Sequence, residues 1–330
     1  MRPKGKHPST GDLFQQPLAD LINLKHPLVK LAELIDWSVF ETRWAEFFPS
    51  RTGRPASSPR LIAGLLYLQH TFACSDEDLI WTWVENPYWQ HFCGETYFQH
   101  EPPIDPSSMT RWRQRIGEEG VEWLLTETIE AARRGKVVKS KSFEKIIIDT
   151  TVMEKAVAYP TDSRLLERGR QHLVKLAGAL GITLRQNYNR EAPRLAVQVG
   201  RYVHAKQYRR MKATLKSLRT IVGRVWRDID RKLDHQNEAQ SAKAGSILAR
   251  VKRLLEQKPK DKNKLYSLHA PEVECISKGK ARQPYEFGVK VTVATTHKEG
   301  LVVGMRSLPG NPYDGHTLPE AIEQVSILTA

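Results

Sequence analysis

Cysteine is scarce: Cys74, Cys93 and Cys275 are the only three in 330 residues, far apart and without a C-x-x-C pair. Such spacing supplies neither a disulfide framework nor a zinc site, and it suits a reducing compartment. Long apolar runs are missing as well. No stretch approaches the roughly 20 apolar residues a membrane span needs, and the basic start MRPKGKHPSTGD leads into no apolar signal core. The expectation is a cytoplasmic protein with no membrane partner. Negative charge is locally absent too: from Ser163 to Lys264, 26 Lys and Arg face 8 Asp and Glu, an excess of 18. That excess is larger than the +14 of the whole protein, so the remainder is net negative. Charge concentrated this way goes beyond what solubility requires and points to a polyanion, nucleic acid first, rather than to a small-molecule substrate.

What is present organises the sequence into about two domains, each with enough apolar residues (40% overall) for a core. Leu21, Leu24, Leu28, Leu31, Leu34 and Ile35 recur at helical spacing between Leu18 and Phe48, interrupted by Pro27, which predicts two short helices. Ser58-Pro59 opens LIAGLLYLQHTF, apolar nearly all round and so expected to be buried. Ser75 with Asp78 reads as a capping box for DLIWTWVE, which Asn86-Pro87 stops, and YWQHFCG ends at Gly94. In 105-DPSSMTRWRQRIG-117, Met109, Trp112 and Ile116 share one face and Arg111, Gln114 and Arg115 the other. Residues 18–135 thus form an all-helical domain.

The pattern changes after the basic linker Lys136-Val137-Val138-Lys139. KIIIDTT (145–151) is β-branched and closes in turn chemistry at Pro160, which predicts a strand buried on both faces and ending on Asp149. Residues 163–264 return to helix. YEFGVKVTVATT (285–296) and LVVGMRSLPGN (301–311), joined by HKEG, read as an antiparallel hairpin. DGHTLPEAIEQVSILTA (314–330) reads as a helix with Asp314 as N-cap and Leu318, Ile322, Val325 and Leu328 facing inward.

An isolated aspartate at a strand end is usually a turn or cap residue. The surrounding blocks change that reading. IIIDTTVMEKAVAYPTDSRLL, LYSLHAPEVECISKGKARQPYEFGVKV and LPGNPYDGHTL resemble the DDE transposases of bacterial insertion sequences, of the insertion sequence 5 type. RLIAGLLYLQHTFACSDEDLIWTWVENPYWQHFCG with SSMTRWRQRIG resembles the N-terminal domain of the same group, so the likeness spans residues 18 to 328. It implies an α+β fold: a helical DNA-binding domain over 18–135, then a ribonuclease-H-like α/β domain over 136–330, interrupted by the basic helical insert at about 163–264.

The resemblance matches Asp149 to the first acid of the DDE triad, a ligand of Mg2+ (or Mn2+). In such enzymes several acids hold two cations about 4 Å apart for in-line phosphoryl transfer. One cleavage frees a 3′-hydroxyl at the element's end, and that hydroxyl attacks target DNA. The D-x-G-Y/F and Y-x2-R-x3-E-x6-K blocks that carry the other two acids are absent from the 330 residues. The ribonuclease-H-like domain is therefore expected to be incomplete, truncated at its C-terminal end, and inactive alone. Asp314 is the substitute candidate for a second ligand, against its plainer reading as a helix cap. Glu154, Asp162, His269 and Cys275 read as solvated or structural.

The implied partners are duplex DNA, as terminal inverted repeats and target, and further copies of the protein in a nucleoid-associated homo-oligomer. Candidate contacts are Arg111 and Arg115 in the major groove, from a recognition helix. On the insert they are Arg201, Lys206, Arg209, Arg210, Lys212, Arg219 and Arg224, set against phosphates. The plain alternatives are arginine-rich solvated faces, or dimer contacts for the insert. A DNA-binding remnant without catalysis is the rival function.

Overall fold

The computed structural model describes residues 16–47, 57–233, 238–262, 264–279, 281, 282 and 284–329, with side chains omitted at 238–243. The basic start, Phe48 and Ala330 lie outside these residues. The protein is α+β and divides into two compact units, one of residues 1–148, 293–305 and 319–330, the other of residues 149–292 and 306–318.

The first unit is mainly helical. It contains α1 (Leu18–Leu21), α2 (Pro27–Leu34), α3 (Trp37–Arg43), α4 (Pro59–Phe72), α5 (Asp76–Glu85), α6 (Pro87–Phe92) and α7 (Ser107–Arg134). Local chemistry sets these limits. Ser75 Oγ accepts from the Asp78 N–H, and Asn86 Oδ1 accepts from the N–H groups of Tyr88 and Trp89. Ser58 occupies the N-cap position of α4 but its hydroxyl makes no cap bond, so Pro59 alone marks that start. The run before Phe48 forms three helices and a short 3-10 turn rather than two helices. Leu21 and Leu24 of its apolar set stay more than half exposed, because α1 is a single turn that inserts only Leu18.

Aromatic rings build the core of this unit. Phe40, Trp44, Trp83 and Phe92 are fully buried among Ile62, Leu65, Leu66, Leu79 and Met109. Gly64 sits where an added Cβ would meet Cys93 Sγ at 2.8 Å, so α4 and the end of α6 approach through a missing side chain. A smaller cluster joins Ile129 of α7 to Ala294, Val303, Val325 and Leu328.

Among its described residues the second unit holds four amphipathic helices: α8 (Asp162–Ala179), α9 (Glu191–His204), α10 (Tyr208–Lys232) and α11 (Glu238–Glu256). Their seam is aliphatic, with Leu166, Leu173, Leu218, Val222, Ile229 and Val251 at or near zero exposure.

Among the described residues, four strands make one sheet: β1 (Ile146–Glu154), β2 (Glu274–Ser277), β3 (Tyr285–Thr296) and β4 (Val302–Leu308). The order is β1-β3-β2, with β4 also on β3. Within the first unit His297 N–H bonds Lys145 O, and within the second Lys155 N–H bonds Phe287 O, so β1 and β3 run antiparallel. The β3–β4 hairpin closes through Gly300 at φ 68°. β2, which the sequence pattern does not announce, pairs antiparallel with β3 from Glu274↔Gly288 to Ser277↔Tyr285.

Two expectations fail here. β1 lies at the border of the sheet, not its centre, and no residue of it is fully buried: half-exposed and exposed positions alternate from Ile146. The exposed positions Ile147, Asp149, Thr151 and Met153 share one face of the strand, so the apolar run did not mean burial on both faces. The last helix, α12 (Asp314–Thr329), turns Thr317, Ala321, Gln324, Val325 and Leu328 inward and leaves Leu318 and Ile322 at 43% and 50% exposure.

Candidate nucleic-acid interface and carboxylate site

The first half of α7 separates its faces as the residue spacing predicts. Met109, Trp112 and Ile116 are buried, while Arg111, Gln114 and Arg115 are exposed. The Arg115 guanidinium lies 5.0 Å over the Trp112 ring, which restrains it without consuming its hydrogen-bond donors. Arg113 falls on the apolar stripe between Met109 and Ile116, and its partner is Asp76. Two parallel bonds of 2.7 and 2.6 Å join them, and Gln69 supports both groups. This pair ties α7 to α4 and α5, and the guanidinium holds the Asp76 carboxyl below its usual range. A charge on an otherwise apolar stripe was the signal in the sequence for such an anchor.

Gly117 follows these two faces directly and does not end the helix. It bends the helix instead: at φ 57°, ψ −156° it adopts a conformation open essentially to glycine, and α7 continues to Arg134. The exposed arginines therefore sit on a short rod whose direction is set by Gly117 and the Arg113–Asp76 bonds.

In the second unit, Arg201, Lys206, Arg209, Arg210, Lys212 and Arg224 are exposed and Arg219 is half-buried. Arg210 reaches Gln207, and Arg224 lies 3.5 Å from the Tyr188 hydroxyl. Other cations serve the fold. Lys232 and Arg185 surround Asp228, which accepts from the Arg185 N–H at 2.8 Å and is held below the usual carboxylate range by that bond first and by Lys232 next. Arg170 is buried in a bidentate pair with Glu167 and bonds Asn187 and Asn189.

Asp149 stands in the middle of β1, exposed, with Oδ1 accepting from the Thr150 N–H at 2.8 Å. Asp314 is the first residue of α12, not its cap. Its Oδ1 accepts from Thr150 Oγ1 at 2.9 Å and from the Lys290 ammonium, which also donates to Pro312 O. Lys290 first and Thr150 next lower the Asp314 pKa. Consecutive strand residues project to opposite faces, so Asp314, held by the Thr150 hydroxyl, lies across the strand from Asp149. Lys290 and Thr150 were not singled out in the sequence, since nothing local links positions 150, 290 and 314.

A two-cation centre needs several acids converging on one point. Here one carboxylate is neutralised by an internal ammonium and the other faces away from it. Among the described residues no three His, Cys, Asp or Glu side chains group to hold a metal ion. The residues present do not fit such a centre. Nor is any described helix long and apolar enough to cross a membrane.

Comparison with known proteins agrees with these features. Residues 16–115, from α1 through the exposed arginines of α7, match the family model described as a transposase domain (DUF772). The sequence is 48% identical over 208 residues to "Uncharacterized protein ORF8 in nfe locus" of Rhizobium meliloti, covering 63% of this protein and all of that one. No solved structure matches. The protein belongs to the insertion-sequence transposase-like proteins.

Proposed function

We propose that the protein is a DDE-type transposase that binds transposon-end DNA, with α7 as its reading helix. The observation that carries this is the division of 107–116 into a buried Met109–Trp112–Ile116 face and an exposed Arg111–Gln114–Arg115 face, inside the transposase-domain match. Arginine reads guanine edges in the major groove, and glutamine reads adenine. The partner is duplex DNA at terminal inverted repeats, with target DNA and further copies of the protein in an active nucleoid-associated complex, and the insert cations supply sequence-independent contact. The test is binding to a terminal repeat and to scrambled duplex: Arg111→Ala and Arg115→Ala each remove about 1–3 kcal/mol of discrimination. Equal discrimination by wild type and both variants overturns the reading.

A ribonuclease-H-like role for the sheet, with Asp149 as ligand of Mg2+ or Mn2+, enters through the resemblance alone. A specific observation favours the non-catalytic reading for these 330 residues: Asp314, the substitute second ligand, is held by Lys290 and Thr150. The expected outcome is end binding without strand nicking. Metal-dependent nicking that Asp149→Ala abolishes would falsify it.

A further inference from the structure

On α10, Arg209, Lys212, Lys216, Arg219, Gly223 and Arg227 follow one another at intervals of three or four residues, all on the side away from Leu218, Val222, Val225 and Ile229. At about 100° per residue they fall within a stripe of about 80°. Other cations of this unit have structural work: Arg231 bonds the Arg227 carbonyl, Lys232 bonds Thr183 O and Asp228, and Arg170 pairs with Glu167. Among the described residues, the side chains of Arg209, Lys212, Lys216, Arg219 and Arg227 make no hydrogen bond or ion pair, and α10 carries no acid before Asp228. Holding five like charges on one face without counter-charge is unfavourable in isolation.

Gly223 sharpens the point. Glycine inside a helix costs about 0.5–1 kcal/mol relative to alanine. This one is covered by the Arg227 guanidinium, which an added Cβ would meet at 3.2 Å. The glycine leaves room for that guanidinium close to the helix backbone.

We propose that this stripe is a phosphate-binding rail for a double-helical nucleic acid. The inference rests on the nucleic-acid reading above but on a different surface from α7. From Arg209 to Arg227 a straight helix rises about 27 Å, most of the roughly 34 Å of one duplex turn. Single strands are gripped by aromatic platforms on which bases stack. The rail has none: Trp226 is turned inward with its Nε1–H on Leu248 O, and Tyr208 stands at the helix start. Rigid spacing and cations without stacking rings suit a duplex backbone, read without sequence preference.

The test measures binding of the full-length protein to scrambled duplex and to single strand of equal length at several salt concentrations. Five phosphate contacts give a slope of log K on log salt of about −4.5, a loss of about 500-fold between about 50 and 200 mM. Lys212→Gln with Lys216→Gln should bring it to about −2.7, or about 40-fold. Gly223→Ala, which improves helix propensity, should lower the slope by about 1 with no loss of melting temperature. An unchanged slope in both variants, or single-strand binding equal to duplex, overturns the rail. Failure of the end-binding reading looks different: discrimination between terminal and scrambled duplex is then absent while the slope persists.

Discussion

The two helical regions solve opposite problems with similar elements. In 18–134 the core is built from Phe40, Trp44, Trp83, Phe92 and Trp112, and Arg113, on the apolar stripe of α7, is tied by two bonds to Asp76. Among the described residues of 162–256 no aromatic ring is fully buried in the core; leucine, isoleucine, valine and alanine form the seam, and cations occupy the outside. Interlocking rings fix one orientation, which a helix that must present Arg111 and Arg115 at a set angle requires. An aliphatic seam only has to keep rods straight and parallel, which is sufficient for a row of phosphate contacts.

The largest effect that could break this comparison is in the aromatic core. Trp83→Ala should cost about 3–5 kcal/mol by denaturant unfolding, and the structure of the first region with it. A loss below about 1 kcal/mol would show that the rings do not fix the orientation. Gly117→Ala comes next, at about 1–3 kcal/mol, because alanine is strained at that φ and ψ although space is open around it. Terminal-repeat discrimination should fall in the same variant, since the rod changes direction. If discrimination survives, the bend has no part in reading.

Asp76→Asn should be smaller, about 1–2 kcal/mol, because the pair is charge-assisted but Asp76 is 24% and Arg113 37% exposed. The pH dependence has a definite sign. Asp76 and Asp228 both have pKa values lowered in the folded protein. Their stabilisation is therefore full above the unfolded carboxylate value of about 4 and is lost as pH falls through the lowered values. Urea midpoints measured from about pH 6 to pH 2 should drop below about pH 4, and less steeply in Asp76→Asn. The smallest effect belongs to the second region: Lys212→Gln with Lys216→Gln should change stability by no more than about 0.5 kcal/mol while altering salt-dependent binding. A marked destabilisation would mean that the stripe serves the fold.

Sequence alone determined most of the local structure. Ser75, Asn86 and Pro59 place helix starts because caps act within three residues, and the period of Met109, Trp112 and Ile116 fixes a face because side-chain direction on a helix follows from spacing. The hairpin at 297–300 and the charge excess of 163–264 were legible for the same reason. Where the answer depended on neighbours distant in sequence, only the tertiary structure decided. Three isoleucines before Asp149 describe an apolar strand but not what packs on each of its faces, so β1 proved half-exposed. Leu318 and Ile322 lost the inner face of α12 to Thr317, Ala321 and Gln324, because the surface they meet is made by other elements. Asp314 is a competent cap by local chemistry, yet Lys290 and Thr150 claim its carboxylate. An ammonium brought within contact by folding outweighs what a carboxylate can do with its own helix end, and no pattern within a few residues of Asp314 could have announced it.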